Sequence, residues 1–222
     1  MKVFHFIFSY VILGTLLPCI LHIHIHGQFN LYQTLVSFFC SLNALISIWE
    51  ISLGLNITYI TKEFHRLKEK FKGNEFGAVT EFFLMPMSVM EMVTLKFWSR
   101  VWSTYALYDP SYSNKESYGF FIDVGNGWST LIPSVLFMVG VTVEVMPARA
   151  LGILGVLKFY QEFYGTVIYF LSYVMNQRYK GKGITEVMLF VGLSNGLWFV
   201  FPLLGAYLSV VMIYSDSFEV FR

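Results

Sequence analysis

Glu50, Asp123, Lys158 and Glu162 are ionisable residues set inside long hydrophobic runs. At membrane depth such a group is costly unless paired, so each is a functional candidate by default. Lys158 and Glu162 are spaced i, i+4 and can neutralise each other on one helix face. Glu50 and Asp123 have no such local partner. Asn126 follows Asp123 by about one turn, which aims both into the same interhelical space. Asn195 and Trp198 share a face in the run Ser194-Asn195-Gly196-Leu197-Trp198. Read alone, that pair serves helix–helix hydrogen bonding beside a small glycine. Carboxylates, amides and an indole on separate helices suggest instead one polar pocket inside a bundle.

Two other patterns carry less. Gly192-Leu193-Ser194-Asn195-Gly196 matches G-x-S-x-G letter for letter. A nucleophile elbow needs a strand-to-helix turn, and this run lies in an apolar helix, so its glycines read as close-packing positions. Of His22, His24 and His26 only the first and last share a helical face, at the end of a span; they read as interfacial histidines and not as a metal site. No phosphate-binding glycine loop or HExxH zinc motif is present, and no cofactor is expected.

The elements that hold these residues follow from composition. The chain has 222 residues, a one-domain length, with 56% apolar, 19% aromatic and 13% charged residues. Soluble domains carry about 25% charge, and the mean hydropathy here is +0.60. The fold class expected is all-α, a polytopic membrane protein. Lys plus Arg is 15 against 14 Asp plus Glu, which leaves nothing for nucleic-acid binding to rest on. Cys19 and Cys40 sit in apolar stretches, too few for a disulfide or zinc framework.

No Asp, Glu, Lys or Arg occurs from Val3 to Trp49. One crossing takes about 20 apolar residues, so this stretch holds two helices, turning at His26-Gly27-Gln28-Phe29-Asn30. Further spans are read at Tyr118 to Val143, about Ala150 to Met175, and Val187 to Tyr214, the last kinked at Pro202. The first helix has an apolar core after Lys2 but no small-x-small cleavage site after Cys19, so it is read as retained. The expected layout is a helix and turn over 1–30, a four-helix domain over 31–215 and a tail over 216–222. A long loop at 61–117 opens with a charged helix extension. A stripe of Val79, Phe82, Phe83, Val89, Met90, Val93 and Phe97 then suits an interfacial helix broken at Pro86.

Twelve Lys and Arg fall in loops on the N-terminal side and two, Arg149 and Arg222, on the other. That bias places the N-terminus in the cytoplasm. The sequon Asn56-Ile57-Thr58 would then face away from glycosylation. The membrane expected is the endoplasmic reticulum or another organelle's.

From the second span onward the chain resembles the EXPERA family, in its emopamil-binding (sterol Δ8–Δ7 isomerase) branch. Val101-Trp102-Ser103-Thr104-Tyr105-Ala106-Leu107-Tyr108-Asp109-Pro110-Ser111-Tyr112 is similar to the family's LWKEYxxxDxRY, with Ser111 in place of the Arg. Asp123 stands where the family carries a Glu. Phe163-Tyr164-Gly165-Thr166-Val167-Ile168-Tyr169-Phe170-Leu171 is similar to YGDVLYFLT, and Asn195 to Pro202 to NxxWxxxP. The blocks cover about residues 40–215. One departure matters: the family's His-x-x-x-Glu keeps its Glu as Glu50 but has Ile46 at the His position.

The resemblance implies a double-bond shift in a sterol ring, with Glu50 and Asp123 as the catalytic carboxyls that deliver and remove a proton. A donor must stay protonated near neutral pH, which burial in an apolar cavity favours. Trp198 would offer its π face to the carbocation, a contact worth about 2 kcal/mol when desolvated. Asn126 and Asn195 would orient the carboxyls or an amine-like ligand, and Tyr105 and Tyr112 match positions bordering the cavity. The loss of the His leaves three readings open: a divergent sterol isomerase, a non-catalytic binder of sterols or cationic amphiphiles, or an accessory subunit of a larger membrane complex. Membrane lipid is the expected surrounding, and a homodimer or membrane-complex subunit the expected assembly.

Overall fold

A computed structural model describes residues 1–115 and 117–222. The described residues form helices joined by short connections, with one isolated bridge between Lys2 and Pro86 and no sheet. Helix α1 spans Val3–His26 and closes on Gly27, whose φ of 73° is the left-handed conformation that glycine adopts without strain. Asn30 then caps α2, Leu31–Lys70, by accepting from the Gln33 N–H at 2.9 Å. The expected turn lies between them.

Helix α2 is 40 residues long and kinks at Asn56, where φ is −122° and ψ 19°. The Asn56 side chain donates to the Ser52 carbonyl at 3.1 Å, one reason the ladder opens there. Beyond the kink the charged extension expected from Lys62 is helical to Lys70, with its Lys and Glu side chains largely exposed but Ile60, Phe64 and Leu67 buried in the core. The stripe after it folds as three short helices: α3 at Glu75–Leu84, α4 at Val89–Met92 and α5 at Leu95–Tyr105. Its residues divide: Val79, Phe82 and Phe97 are buried, whereas Val89, Met90 and Val93 are exposed.

Helix α6 covers Tyr118–Val143, capped by the Ser117 hydroxyl, and α7 covers Ala148–Met175. The last long helix runs from Ile184 to Ser215 as α8 (Ile184–Val187), a π-helical segment at Met188–Leu193 and α9 (Ser194–Ser215). It passes through Pro202 without a break. A π-helical irregularity sits about a dozen residues earlier, at Met188–Leu193.

Among the described residues four helices are long and apolar enough to cross a membrane: α1, α2, α6 and Ile184–Ser215. The chain is accordingly an integral membrane protein by helix length and hydropathy. Helix α7 is long enough but is not among the four; Lys158, Gln161 and Glu162 interrupt its apolar run. It packs mainly against α9 and α6. The five long helices tie together at both ends. At one end the Met87 and Val3 backbone N–H groups donate to the Met1 and Met85 carbonyls, and Arg178 pairs with Asp109 at 3.3 Å. At the other, His26 lies 3.2 Å from the Thr142 carbonyl, and Arg222 pairs with Glu144 at 2.6 Å. The Lys- and Arg-rich loops therefore gather at one end of the bundle.

Candidate functional site

Close helix contact sets the site. A Cβ added at Gly127 of α6 would stand 2.8 Å from the Glu50 Cβ and 2.8 Å from the Ile51 backbone nitrogen. Only glycine lets α6 approach α2 this closely, and Gly54 meets Val124 in the same way. Gly192 and Gly196 do not serve as the close-packing positions expected of them. An added Cβ meets only Met188 and Val187, at 3.7 Å or more, from Gly192, and nothing within 4 Å from Gly196. Ser194 lies in helix and donates to the Phe190 carbonyl, with no strand-to-helix elbow.

The contact leaves a cavity of about 250 Å³ between α2, α5, α6, α7 and the start of α9. The seven residues expected to catalyse or to bind substrate all line it: Glu50, Asp123, Asn126, Asn195, Trp198, Tyr105 and Tyr112. So does Ile46. Glu50 is 5% exposed, and its Oε2 has no hydrogen-bond partner among the described residues. A buried carboxyl oxygen without a donor is costly and invites a ligand or a proton. Asp123 lies near the Tyr112 phenol, and both residues line the cavity. Trp102 stacks on Tyr112, with centroids 5.1 Å apart, and donates its indole N–H to the Trp49 carbonyl at 2.6 Å. Burial pushes the Tyr105 and Tyr112 phenols above their ordinary range, so both stay neutral.

Several polar groups that hold these residues were not singled out from the sequence. Trp198 donates its indole N–H to Asn43 Oδ1 at 2.7 Å, and Asn43 donates onward to Ser134 at 2.9 Å and Thr130 at 3.2 Å. Gln161 donates to Asn126 Oδ1 at 2.9 Å. Asn195 donates to the Tyr105 hydroxyl at 3.0 Å and to the Val191 carbonyl at 2.8 Å. The π segment before it turns Phe190, Ser194 and Asn195 onto the cavity wall. Asp109, 0% exposed, accepts from Tyr169 at 3.1 Å and from the Ser111 backbone N–H at 3.0 Å.

Lys158 and Glu162 form the expected pair, with Nζ–Oε distances of 2.7 and 2.8 Å and both residues buried. The ammonium also lies 5.1 Å from the Phe39 ring centroid and 4.3 Å from that of Phe159. Neither residue lines the cavity. The His22 and His26 rings lie 4.5 Å apart, centroid to centroid. Among the described residues no group of three His, Cys, Asp or Glu is placed to hold a metal, and Cys19 and Cys40 are buried free thiols.

Chemically, this is an aromatic-walled chamber between the helices with two carboxyls, two amides and three indoles on its wall. It could hold a flat apolar ligand and exchange protons with it, or pair with a cation. No family model, curated protein or solved structure matches the chain.

Proposed function

We propose that the protein is a divergent sterol Δ8–Δ7 isomerase-like membrane protein that takes a sterol or a cationic amphiphile into its intramembrane cavity. The observation that carries the reading is the opening of Glu50 and Asp123 onto one aromatic-lined cavity. In the proposed reaction one carboxyl protonates a ring alkene carbon. The other removes a proton from a carbon beside the resulting cation, and the double bond shifts. One proton enters and one leaves, so no redox cofactor is needed. Trp198 faces the cation; Asn126 and Asn195, each held by a neighbouring side chain, orient the carboxyls.

A second reading, a non-catalytic binder, draws its support from Ile46 on the cavity wall, because an alkyl chain cannot share a proton with Glu50. An open interior argues less well for an accessory subunit that keeps only the packing. The proposed membrane is that of the endoplasmic reticulum, with the basic end of the bundle and the N-terminus in the cytoplasm. Expression of the chain in a sterol-isomerase-deficient cell tests the reading. Δ7 sterols should appear by mass spectrometry; accumulation of Δ8 sterols alone, with the protein present in membranes, would favour the binder.

A further inference from the structure

A line of hydroxyls leads out of the cavity. Tyr105 and Tyr169 both line the cavity, and their hydroxyls lie 2.8 Å apart. Tyr169 donates to Asp109 Oδ2 at 3.1 Å, and Arg178 pairs with the same oxygen at 3.3 Å. Asp109 is fully buried, whereas the Arg178 side chain is 15% exposed. Arg178 lines a separate surface pocket at the basic end, between the start of α6 and the α7–α8 connection.

The donors along this line all point one way. Tyr169 has a single hydroxyl proton, and Asp109 receives it. Tyr105 must then donate to Tyr169, and its own oxygen accepts from Asn195 Nδ2. The chain is thus set to take a proton at Tyr105 and deliver one at Asp109. Burial favours the neutral phenol at Tyr105, which suits a hydroxyl relay and not a phenolate store.

We propose that Tyr105, Tyr169 and Asp109 form a proton path joining the intramembrane cavity to water in the surface pocket beside Arg178. A proton reaches the Tyr105 oxygen across the cavity, which has room for a bridging water. Tyr105 passes its own proton to Tyr169, and Tyr169 passes its own to Asp109. Each oxygen forms one O–H bond and breaks one, until Asp109 yields the proton to a water that enters beside Arg178 from the surface pocket. Hydroxyl rotation resets the line, and the reverse sequence brings a proton in. Nothing is oxidised or reduced. The purpose of such a path rests on the proton chemistry proposed above, since a cavity carboxyl that gives up a proton must regain one. Its existence does not require turnover.

The test therefore reads proton exchange and not catalysis. Full-length protein in lipid nanodiscs is moved from H2O to D2O, and the carboxylic C=O band of the cavity acids is followed by infrared. Glu50→Gln and Asp123→Asn assign the band. In wild type the deuteration shift should be fast; Tyr169→Phe and Tyr105→Phe, which remove only a hydroxyl, should slow it about tenfold or more. Tyr173→Phe removes another buried phenol of α7 that lies off the line, and should exchange as wild type. A circular-dichroism melt checks that each variant is folded. Equal rates in wild type and Tyr169→Phe would overturn the path. So would the absence of any carboxylic band, since no proton would then be held for exchange. A slowed Tyr169→Phe in a protein without sterol turnover would leave the path standing and remove the isomerase reading.

Discussion

Gly127 and Glu50 face each other across the α2–α6 contact, so close that a Cβ on Gly127 would stand 2.8 Å from the Glu50 Cβ. The glycine fixes the depth at which the carboxyl enters the cavity. Gly127→Ala should therefore force the helices apart, because two of its three nearest neighbours are the Ile51 nitrogen and the Ser47 carbonyl, backbone atoms that cannot swing away. Overpacking of this kind costs about 1–3 kcal/mol. Gly125→Ala, with nothing within 4 Å, should be neutral or slightly stabilising. Unfolding of both variants in mixed micelles checks the contrast, and equal stabilities would refute the close contact.

Asn43 holds the Trp198 indole and bridges it to Thr130 and Ser134. Asn43→Leu should strand the indole N–H and cost about 1–3 kcal/mol of stability. It should also weaken binding of a cationic amphiphile, because the ring loses its fixed orientation. Asn43→Asp keeps the acceptor and should retain more of the binding; isothermal titration of the two variants compares them.

Removing one member of the Lys158–Glu162 pair leaves a buried charge without its partner. Lys158→Met alone should cost about 3–5 kcal/mol, and the double change Lys158→Met with Glu162→Leu considerably less. A double-mutant cycle on reversible unfolding measures the difference. Additive losses would show that the two residues do not depend on each other.

Ile46 stands one helical turn before Glu50, and both line the cavity. Ile46→His should raise sterol turnover, since an imidazole there can hydrogen-bond Glu50 and share its proton. A ring nitrogen left unpaired would cost about 1–3 kcal/mol, small enough for the variant to fold. Turnover by wild type and variant in the same isomerase-deficient membranes is the comparison. A folded but inactive variant would shift the account towards the binder.

Much of this arrangement was legible in the residue pattern. Long charge-free runs set the helix bounds, and α6 begins at Tyr118 and ends at Val143 as read. Carboxylates placed in apolar helices pointed to a shared cavity because isolation in lipid is costly. The supports were not legible. Asn43, Gln161 and Tyr169 look like ordinary helix residues until a partner 35 to 155 positions away comes into contact. Helical periodicity gives a residue's face but not which helix that face meets. The π segment at Met188–Leu193 was not legible either, since no residue type in that run marks it.

Asp123→Asn separates the enzyme from the binder. An amide cannot deliver a proton, so turnover should fall to background, and amphiphile binding should weaken by about 1–3 kcal/mol. Unchanged turnover would remove Asp123 from the chemistry.

The most direct measurement of the central claim is conversion of a Δ8 sterol by isomerase-deficient membranes carrying this protein, run in D2O. A double-bond shift by protonation and deprotonation should give the Δ7 isomer with one deuterium from solvent, read by mass spectrometry. Recovery of the Δ8 sterol unconverted, from protein that demonstrably binds it, would contradict the catalytic account.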